Sequence, residues 1–176
     1  MTDTTHPAIL VMGVSGCGKS SVAARLADQI GAAYVEADDF HTEENIRAMS
    51  QGIPLTDKMR EPWLDALGGC LARKRAIGPV VLACSALKRS YRETLRHRGG
   101  PLDIVHLTAP RPIIAERLAR RRGHYMQPGL LDSQLADLEP PGPAEAPFIA
   151  DIEPPVDAIV RTVADEIRRR HPQLTT

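Results

Sequence analysis

The fold of this chain is decided by the stretch Gly13-Val14-Ser15-Gly16-Cys17-Gly18-Lys19-Ser20, which matches the phosphate-binding loop pattern G-x-x-x-x-G-K-[ST] at every fixed position. The apolar run at residues 8–12 directly precedes it and predicts a short buried strand. Residues 21–30 follow and predict a helix with one apolar face. A chance match to a glycine-rich turn would not require this context, so the sequence predicts a nucleoside triphosphate site.

The residue types of the loop suit phosphate chemistry. Glycines allow a tight turn and bring backbone N–H groups close to phosphate oxygens, and the following helix adds the positive end of its dipole. Lys19 can reach the β- and γ-phosphates, and the Ser20 hydroxyl can ligate Mg²⁺. We predict that the nucleotide contacts Gly13, Val14, Ser15, Gly16, Cys17, Gly18, Lys19, Ser20 and Ser21.

Length and composition restrict the class of protein. The chain has 176 residues, enough for one α/β domain with a sizeable core, and we expect a single domain over residues 1–176. Its 22 acidic and 22 basic residues give zero net charge, which favours neither a nucleic acid nor an anionic membrane as partner. No apolar run is long enough for a membrane span or a signal peptide. The three cysteines lack metal or disulfide spacing, so we expect thiols and a cytoplasmic protein.

A second predicted strand, at residues 32–35, ends in a group of carboxylates. Glu36, Asp38 and Asp39 follow it, and ligands bind at the carboxyl ends of strands in parallel sheets. A kinase needs a carboxylate there to accept or orient the proton of an acceptor hydroxyl, and Asp38 is the first candidate. Glu36 could hold Mg²⁺. A solvated acidic turn that caps the next helix is the structural alternative.

The rest of the chain alternates helices with strands, which predicts a parallel sheet of about five strands covered by helices on both sides. Residues 56–59 lead through Arg60-Glu61-Pro62-Trp63 into the longest middle helix, which we expect to reach about residue 76. Thr56 or Asp57 could cap its approach, and its buried face is expected to carry Trp63, Leu64, Leu67 and Leu71. The other predicted helices are 42–50, 90–97, 112–122, 130–138 and 156–170, and the other predicted strands are 80–84, 103–107 and 147–152.

Several cations invite a functional or a structural interpretation. Arg60 stands near the start of a helix, where the dipole does not favour a cation, and this hints at an anionic ligand. An ion pair with Asp57 or Glu61 is the alternative. Lys88, Arg89 and Arg92 cluster at the start of another helix, where a solvated basic face is the structural interpretation. His106 lies within a strand and is expected to be a core or edge histidine.

The late part of the chain predicts a mobile lid over residues 122–142. An arginine-rich helix end leads into the break Gly123-His124-Tyr125-Met126-Gln127-Pro128-Gly129, then a short helix, then a proline-rich stretch. Such an excursion can close over phosphates and exclude water. No Asn-Lys-x-Asp motif for guanine is present. The set of parts therefore favours a small-molecule kinase over a GTPase.

Specific motifs give the chain a close resemblance to the small bacterial-type gluconokinases. They are Asp38-Asp39-Phe40-His41; Asn45-Ile46, Met49, Gly52, Pro54-Leu55 and Asp57; Arg60, Pro62-Trp63-Leu64; Cys84-Ser85-Ala86-Leu87-Lys88 with Tyr91-Arg92; Arg121, Gly123-His124; and Leu130-Leu131, Ser133-Gln134, Leu138-Glu139. The match extends from the phosphate loop to Asp151. Ala37 and Thr42 depart from it, since glycine and proline are expected at those two positions.

The resemblance implies a phosphate-loop kinase fold similar to shikimate and adenylate kinases, and transfer of the γ-phosphoryl group of ATP to the 6-hydroxyl of D-gluconate with Mg²⁺ by a homodimer. It implies an acceptor-binding region at residues 38–75. The implied catalytic residues are Lys19, Asp38 and Arg121, the additional nucleotide contacts are Arg117 and Arg121, the metal ligands are Ser20 and Glu36, and the substrate contacts are Asp38, His41, Arg60, Lys88 and His124. Residues 151–154 would border the adenine.

Other functions remain open at this point. The nearest alternative is a kinase of the same fold that acts on shikimate or another sugar acid, and a nucleoside monophosphate kinase is less favoured. A nucleotide-binding regulator without catalysis is the alternative from another class, although Lys19, Ser20 and Asp38 are all present. A nucleic-acid-binding module fits least, because the chain has zero net charge and few aromatic residues for stacking.

Overall fold

The computed structural model describes residues 6–120 and 128–174. Its strands are β1 Ala8–Met12, β2 Ala33–Glu36, β3 Val80–Ala83, β4 Asp103–Thr108 and β5 Phe148–Asp151. Its helices are α1 Lys19–Ile30, α2 Glu43–Ser50, α3 Asp57–Arg75, α4 Arg89–Gly99, α5 Arg111–Arg120, α6 Pro128–Asp137 and α7 Val156–Arg170. Short 3-10 turns lie at Ala37–Phe40, Pro143–Glu145 and Pro172–Leu174.

The five strands form one sheet in the order β2-β3-β1-β4-β5, and every neighbouring pair is parallel. This confirms the predicted α/β fold. The central strand β1 is buried along its whole length and alternates between two cores. Ile9 and Val11 face the core formed with α1 and α7, while Leu10 and Met12 face the core formed with α3 and α4. The phosphate loop therefore starts from a strand that is buried on both faces of the sheet.

Helix α3 begins earlier than the sequence predicts. The Thr56 hydroxyl accepts a hydrogen bond from the Met59 N–H at 3.3 Å, so Thr56 is the cap and the helix starts at Asp57. Pro62 lies inside the helix rather than before it. As the sixth residue of the helix, Pro62 cannot donate a hydrogen bond to the Lys58 carbonyl and its ring crowds that carbonyl, and the long buried face beyond it compensates. The predicted cap at Thr56 is confirmed, whereas the residues Arg60-Glu61-Pro62-Trp63, predicted as the approach to the helix, already belong to it.

Thr42 caps the start of α2 as Thr56 caps the start of α3. Its hydroxyl accepts a hydrogen bond from the Asn45 N–H at 3.2 Å, which satisfies one of the N–H groups that a helix start leaves without a partner. A proline at this position could not supply that bond through its side chain. The departure from the expected proline at position 42 therefore still produces a capped helix.

Arg92 was expected on a solvated basic face, and the structure corrects this, because its side chain is fully buried. Its Nε and Nη2 atoms donate to the two carboxylate oxygens of Glu145 at 2.9 and 2.7 Å. Its Nη1 donates to the carbonyls of Ala86 and Leu87 at 3.0 and 3.1 Å. Arg96 adds a second cation 2.9 Å from Glu145. The guanidinium thus ties the turn before β5 to the loop after β3.

Replacing Glu145 tests this buried pair. Arg92 and, after it, Arg96 lower the pKa of Glu145 from 4.5 to about 2. We expect Glu145→Gln to reduce the free energy of unfolding by about 3 kcal/mol at pH 7, since it leaves a buried guanidinium without its counter-charge. The lowered pKa means that the contribution is present above pH 4.5 and is lost as the pH falls toward 2.

Urea unfolding at pH 7, 5 and 3.5 measures the difference between wild type and Glu145→Gln, which should shrink toward acid. Glu93→Gln is the matched control, because Glu93 pairs with Arg89 in solvent and should contribute less than about 1 kcal/mol. A difference of the same size at every pH would contradict the assignment of the pKa shift to this pair.

Candidate active site

The phosphate loop lies between the carboxyl end of β1 and the start of α1. Gly13 has a φ of +149°, and a Cβ atom there would lie 2.7 Å from both the Leu107 carbonyl oxygen and Cys17 Sγ. Gly16 has a φ of +85°, and its Cβ would lie 2.6 Å from Leu118 Cγ. Both positions therefore require glycine for backbone conformation and for space. Leu118 belongs to α5, so this helix packs directly on the loop.

Hydrogen-bond donors in the loop point to an anion. Within residues 6–120 and 128–174, no hydrogen bond satisfies the N–H groups of Gly16 and Gly18, and the first N–H groups of α1 have no partner within the helix. Lys19 Nζ donates to the Val14 carbonyl at 3.1 Å, which folds the ammonium back over the loop. Ser20 and Ser21 are exposed in the first turn of α1. These features fit a phosphate cradle.

The Tyr34 phenol hydrogen-bonds to both predicted metal ligands, Ser20 and Glu36. The Tyr34 hydroxyl donates to Glu36 Oε2 at 2.5 Å. Burial and then this hydrogen bond raise the pKa of the Tyr34 phenol above its ordinary value, and the Ser20 hydroxyl acts in the opposite direction through its own hydrogen bond to the phenol. Sequence reasoning did not select Tyr34. The available signal was its position two residues before Glu36 on the strand, which places both side chains on one face.

Electrostatics around Cys84 show that three predicted site residues lie near one another. Burial raises the pKa of the Cys84 thiol to about 12. The charge of Lys19 lowers this pKa, and the charges of Asp38 and Glu36 raise it. Cys84 directly follows β3, the neighbour of both β1 and β2. The parallel sheet therefore brings the phosphate-loop lysine and the two carboxylates to one edge, as predicted.

Asp38 lies on the 3-10 turn after β2, with its side chain 84% exposed and one carboxylate oxygen 3.8 Å from His41 Nε2. Burial lowers the pKa of His41, which keeps the imidazole neutral at pH 7; Arg60 acts in the same direction and Asp38 opposes it. The side-chain amide of Asn45 lies 3.4 Å from His41 Nδ1 and donates to the Met59 carbonyl at 3.0 Å. Asp38 and His41 thus face each other, with the carboxylate open to a ligand.

Trp63 stabilises the arrangement of Asp38 and His41 through two contacts. Its indole ring stacks on His41 with 4.4 Å between ring centroids and 13° between planes. Its N–H donates to the Ala37 carbonyl at 2.7 Å in a buried position. The backbone of the turn that carries Asp38 is therefore held by an indole 26 residues away. Sequence reasoning placed Trp63 on the buried face of its helix, and the polar contact went unnoticed because only the tertiary structure shows it.

Arg60 and Lys88 lie together, and both contact Asp57 and Tyr91. Arg60 Nη1 donates to the Tyr91 hydroxyl at 3.0 Å and lies 3.9 Å from Asp57. Lys88 Nζ donates to the two oxygens of Asp57 at 2.9 and 3.2 Å, and the Tyr91 hydroxyl donates to the same carboxylate. We call Arg60, Lys88, Tyr91 and Asp57 the cationic cluster. It carries two positive charges against one negative, which fits an anionic ligand.

Hydrogen bonds within the cationic cluster stabilise its charged forms. The bond from Tyr91 and then the bond from Lys88 lower the pKa of Asp57. The bond to Asp57 raises the pKa of Lys88. The structure thus brings Arg60 near Asp57, as the ion-pair interpretation expects, and the interpretation of Arg60 as an anion-binding residue stays a prediction. Asp57 and Tyr91 are members that sequence reasoning did not select as site residues, although both belong to the motifs it quoted.

The remaining predicted residues lie elsewhere or outside the described part. Arg117 Nη2 donates to the Ile152 carbonyl, so it joins α5 to the segment after β5 that was predicted to border the adenine. Arg121 and His124 fall outside the described residues, as does the first part of the predicted lid. His106 is buried in β4 and burial lowers its pKa, in agreement with a core histidine.

Residues 6–120 and 128–174 contain neither a cluster of metal-binding side chains nor a membrane-spanning helix. No group of three or more histidine, cysteine, aspartate or glutamate side chains there could hold a metal ion. None of the helices in this part is long and apolar enough to cross a membrane. All three cysteines, Cys17, Cys70 and Cys84, are buried.

Known proteins resemble this chain over most of its length. A family model described as an AAA domain matches residues 9–141. A gluconokinase from Gluconobacter oxydans is 48% identical over 138 residues, covering 78% of each chain. The thermoresistant gluconokinase of Escherichia coli is 36% identical over 170 residues, covering 96% of this chain and 97% of that one. A crystal structure of a gluconokinase from Sinorhizobium meliloti is 43% identical with a TM-score of 0.85, covering 97% of this chain and 96% of the other.

The support that Trp63 gives to the 3-10 turn can be tested by Trp63→Phe. Phenylalanine keeps an aromatic ring against His41 but removes the N–H donor to the Ala37 carbonyl. We expect a loss of about 2 kcal/mol in the free energy of unfolding, from the unmade hydrogen bond and the smaller ring. Backbone amides of residues 38–41 should also exchange faster with solvent.

Leu67→Ala is the control, because Leu67 is a buried residue of the same helix that belongs to the core beneath the sheet. It should lose at least as much stability without selective exchange at residues 38–41. Equal exchange in the two variants would show that the indole does not hold the turn.

Proposed function

The chain belongs to the gluconokinase family of phosphate-loop kinases, and from that premise we propose that its site transfers the γ-phosphoryl group of ATP to the 6-hydroxyl group of D-gluconate. The observation that carries the proposal is the cationic cluster beside a phosphate loop, in a chain 48% identical to a gluconokinase. A phosphate loop accounts for the nucleotide, and two cations facing the open acceptor side account for an acid as acceptor.

The phosphate loop binds ATP. The N–H groups of Gly16, Gly18 and the first turn of α1 receive the phosphate oxygens, and Lys19 neutralises charge on the β- and γ-phosphates as it does in phosphate-loop enzymes generally. Lys19 leaves the Val14 carbonyl to do this, because an ammonium can exchange one carbonyl partner for a phosphate at little cost. Arg117 and Arg121 are the proposed cations on the other side of the phosphates.

Mg²⁺ fits the site that Ser20 and Glu36 form. Magnesium prefers oxygen ligands and is held by one or two protein groups together with substrate phosphates and water, so no dense cluster of side chains is required. One hydroxyl and one carboxylate, gathered by Tyr34, supply such oxygens. When bound, the ion would neutralise charge on the β- and γ-phosphates.

The acceptor site positions gluconate for an in-line attack. Arg60 and Lys88 bind its carboxylate, since a guanidinium can hold a carboxylate through two parallel hydrogen bonds. Asp38 accepts the proton of the 6-hydroxyl while that oxygen forms its bond to the γ-phosphorus, and the bond from the γ-phosphorus to the bridging oxygen of ADP breaks. His41 and His124 are the proposed partners of the remaining hydroxyl groups.

The proposal also includes the cellular location and the oligomeric state of the enzyme. Buried cysteines and dependence on ATP support a cytoplasmic enzyme, and the family resemblance supports a homodimer without a nucleic-acid or membrane partner. The lid at residues 122–142 stays a prediction, with α6 as its described part. Light scattering of the purified protein would measure the dimer directly.

The decisive experiment is ADP release from Mg²⁺–ATP measured across gluconate, shikimate, glycerate, other sugar acids and AMP. We expect strong turnover with gluconate and little with the others. Lys19→Ala is the control, since it removes the phosphate-loop charge and should cut turnover by at least about 100-fold while the thermal unfolding temperature stays near wild type. Turnover with a different acid would contradict the acceptor, and none with any acceptor despite ATP binding would favour a regulator.

Arg60→Ala tests the acceptor-side assignment. Loss of the guanidinium should raise the KM for gluconate by about tenfold or more and leave the KM for ATP within about twofold, because only the acceptor carboxylate loses a partner.

Lys58→Ala is the matched control, because Lys58 carries the same charge on the same turn of α3 but is exposed and outside the cluster. A similar rise for Lys58→Ala would mean that general electrostatic attraction, not a specific contact, is responsible. Equal changes in both KM values for Arg60→Ala would remove Arg60 from the acceptor site.

A further inference from the structure

A glutamine from α6 contacts the phosphate loop. Gln134 Oε1 accepts a hydrogen bond from the backbone N–H of Ser15 at 2.7 Å, and Gln134 Nε2 donates to Ser15 Oγ at 3.1 Å. The pair joins positions 119 residues apart. The reciprocal pattern also determines the orientation of the side chain, since a flipped amide would place its NH₂ group against the Ser15 N–H donor. One side chain therefore holds both the backbone and the hydroxyl of Ser15.

This contact divides the donors of the loop into two groups. The Ser15 N–H is used by the protein, whereas those of Gly16 and Gly18 have no partner within residues 6–120 and 128–174. Phosphate binding needs the second group to converge on one point. A loop with glycines at positive φ has many accessible conformations, and a fixed Ser15 removes some of them before the nucleotide arrives.

Helix α6, which belongs to the predicted lid, is anchored at several points in the conformation that this structure shows, and these contacts hold Gln134 in place. Leu131 is buried in the core, and Asp132 pairs with Arg111 of α5 at 2.7 Å. Beyond the helix, the Glu139 N–H donates to the Leu87 carbonyl at 2.9 Å, and the Glu139 carboxylate accepts from the Arg89 N–H at 2.7 Å. These contacts fix α6 against the loop that follows β3, and Gln134 reaches the phosphate loop from there.

We propose that Gln134 is a positioning residue for nucleotide binding, which holds Ser15 so that the remaining N–H groups of the phosphate loop are preorganised for the phosphates. This inference rests on the proposed nucleotide-dependent function but not on the identity of the acceptor. Gln134 acts through Ser15 and makes its contribution in the empty loop as well as in the loaded one.

If Gln134 instead hindered nucleotide binding, its removal would change the dissociation constant of the nucleotide in the opposite direction. If the phosphates needed the Ser15 N–H, the Gln134 oxygen would compete with them, and removal of the side chain would strengthen nucleotide binding. If Gln134 preorganises the loop, removal weakens binding, because the nucleotide must then order Ser15 itself. The sign of the change in the dissociation constant therefore separates the two roles.

The experiment measures the dissociation constants of Mg²⁺–ADP and of a non-hydrolysable ATP analogue by calorimetry, without acceptor. The principal variant is Gln134→Met, which keeps the length and volume of the side chain but removes both polar contacts. We expect about tenfold weaker binding, the size typical of one or two lost hydrogen bonds. In turnover assays, the KM for ATP should rise while the KM for the acceptor stays within about twofold.

Ser15→Ala provides a double-mutant cycle. It removes only the hydroxyl that Gln134 Nε2 donates to, so it should weaken nucleotide binding less than Gln134→Met does. The double variant should bind nucleotide less weakly than the sum of the two single effects, because the bond from Gln134 Nε2 to Ser15 Oγ is lost in both single variants and is counted twice in that sum. Full additivity of two independent losses would contradict action through Ser15.

Ser133→Ala is the matched control on α6, since no hydrogen bond of the Ser133 side chain to a described residue occurs, and it should leave binding unchanged. If Gln134→Met unfolds at a lower temperature, Gln134→Leu gives a second apolar replacement, and the same selective loss of nucleotide affinity is expected. Unchanged or tighter nucleotide binding in a folded variant would overturn the proposal. Failure of gluconate turnover in a wild type that binds ATP would concern the proposed acceptor and leave this inference standing.

Discussion

The close packing at the carboxyl end of β1 is the constraint on which the rest of the structure depends. Gly13 lies against the Leu107 carbonyl of β4 with no space for a side chain, and Gly16 lies under Leu118 of α5. The chain must therefore turn at once from a strand buried on both faces into α1. This turn directs N–H groups outward at the edge of the sheet, and the same edge receives the ends of β2 and β3 because all five strands are parallel. Among the described residues of the proposed reaction, Lys19, Ser20, Glu36 and Asp38 lie at that edge.

Hydrogen bonds from the Trp63 and Arg92 side chains hold the loops that follow the strands of the sheet. The Trp63 indole holds the backbone under Asp38, and Arg92 holds two carbonyls of the loop that leads to Lys88. Buried donors and acceptors of this kind are expensive to leave unpaired, so they permit few alternative arrangements of the loops that carry them. The loops of the acceptor side thus obtain rigidity that their own short sequences could not supply. The carboxylate of Asp38 is exposed and remains available to a ligand as a result.

Much of the site could be predicted, and the exceptions share a cause. The phosphate loop, the carboxylates after β2 and the cations Arg60 and Lys88 were selected from the sequence, and the structure places them at one edge of the sheet or beside it. Arg92 was assigned to a solvated face and is fully buried. Tyr34, Asp57, Tyr91 and Gln134 were not selected. Each of them contributes through a hydrogen bond whose partner is chosen by the assembled structure, and residue type alone does not indicate such a partner.

The sequence by itself determined the order of the elements, the class of the fold and the chemistry of the phosphate loop, because hydrophobic period and glycine spacing are local properties of the chain. Only the tertiary structure decided that Tyr34 also reaches Ser20, that Trp63 meets the Ala37 carbonyl, and that Gln134 meets Ser15 across 119 residues. The physical reason is that a hydrogen bond is made within about 3 Å, and such a distance between remote residues exists only after the sheet and its helices have packed.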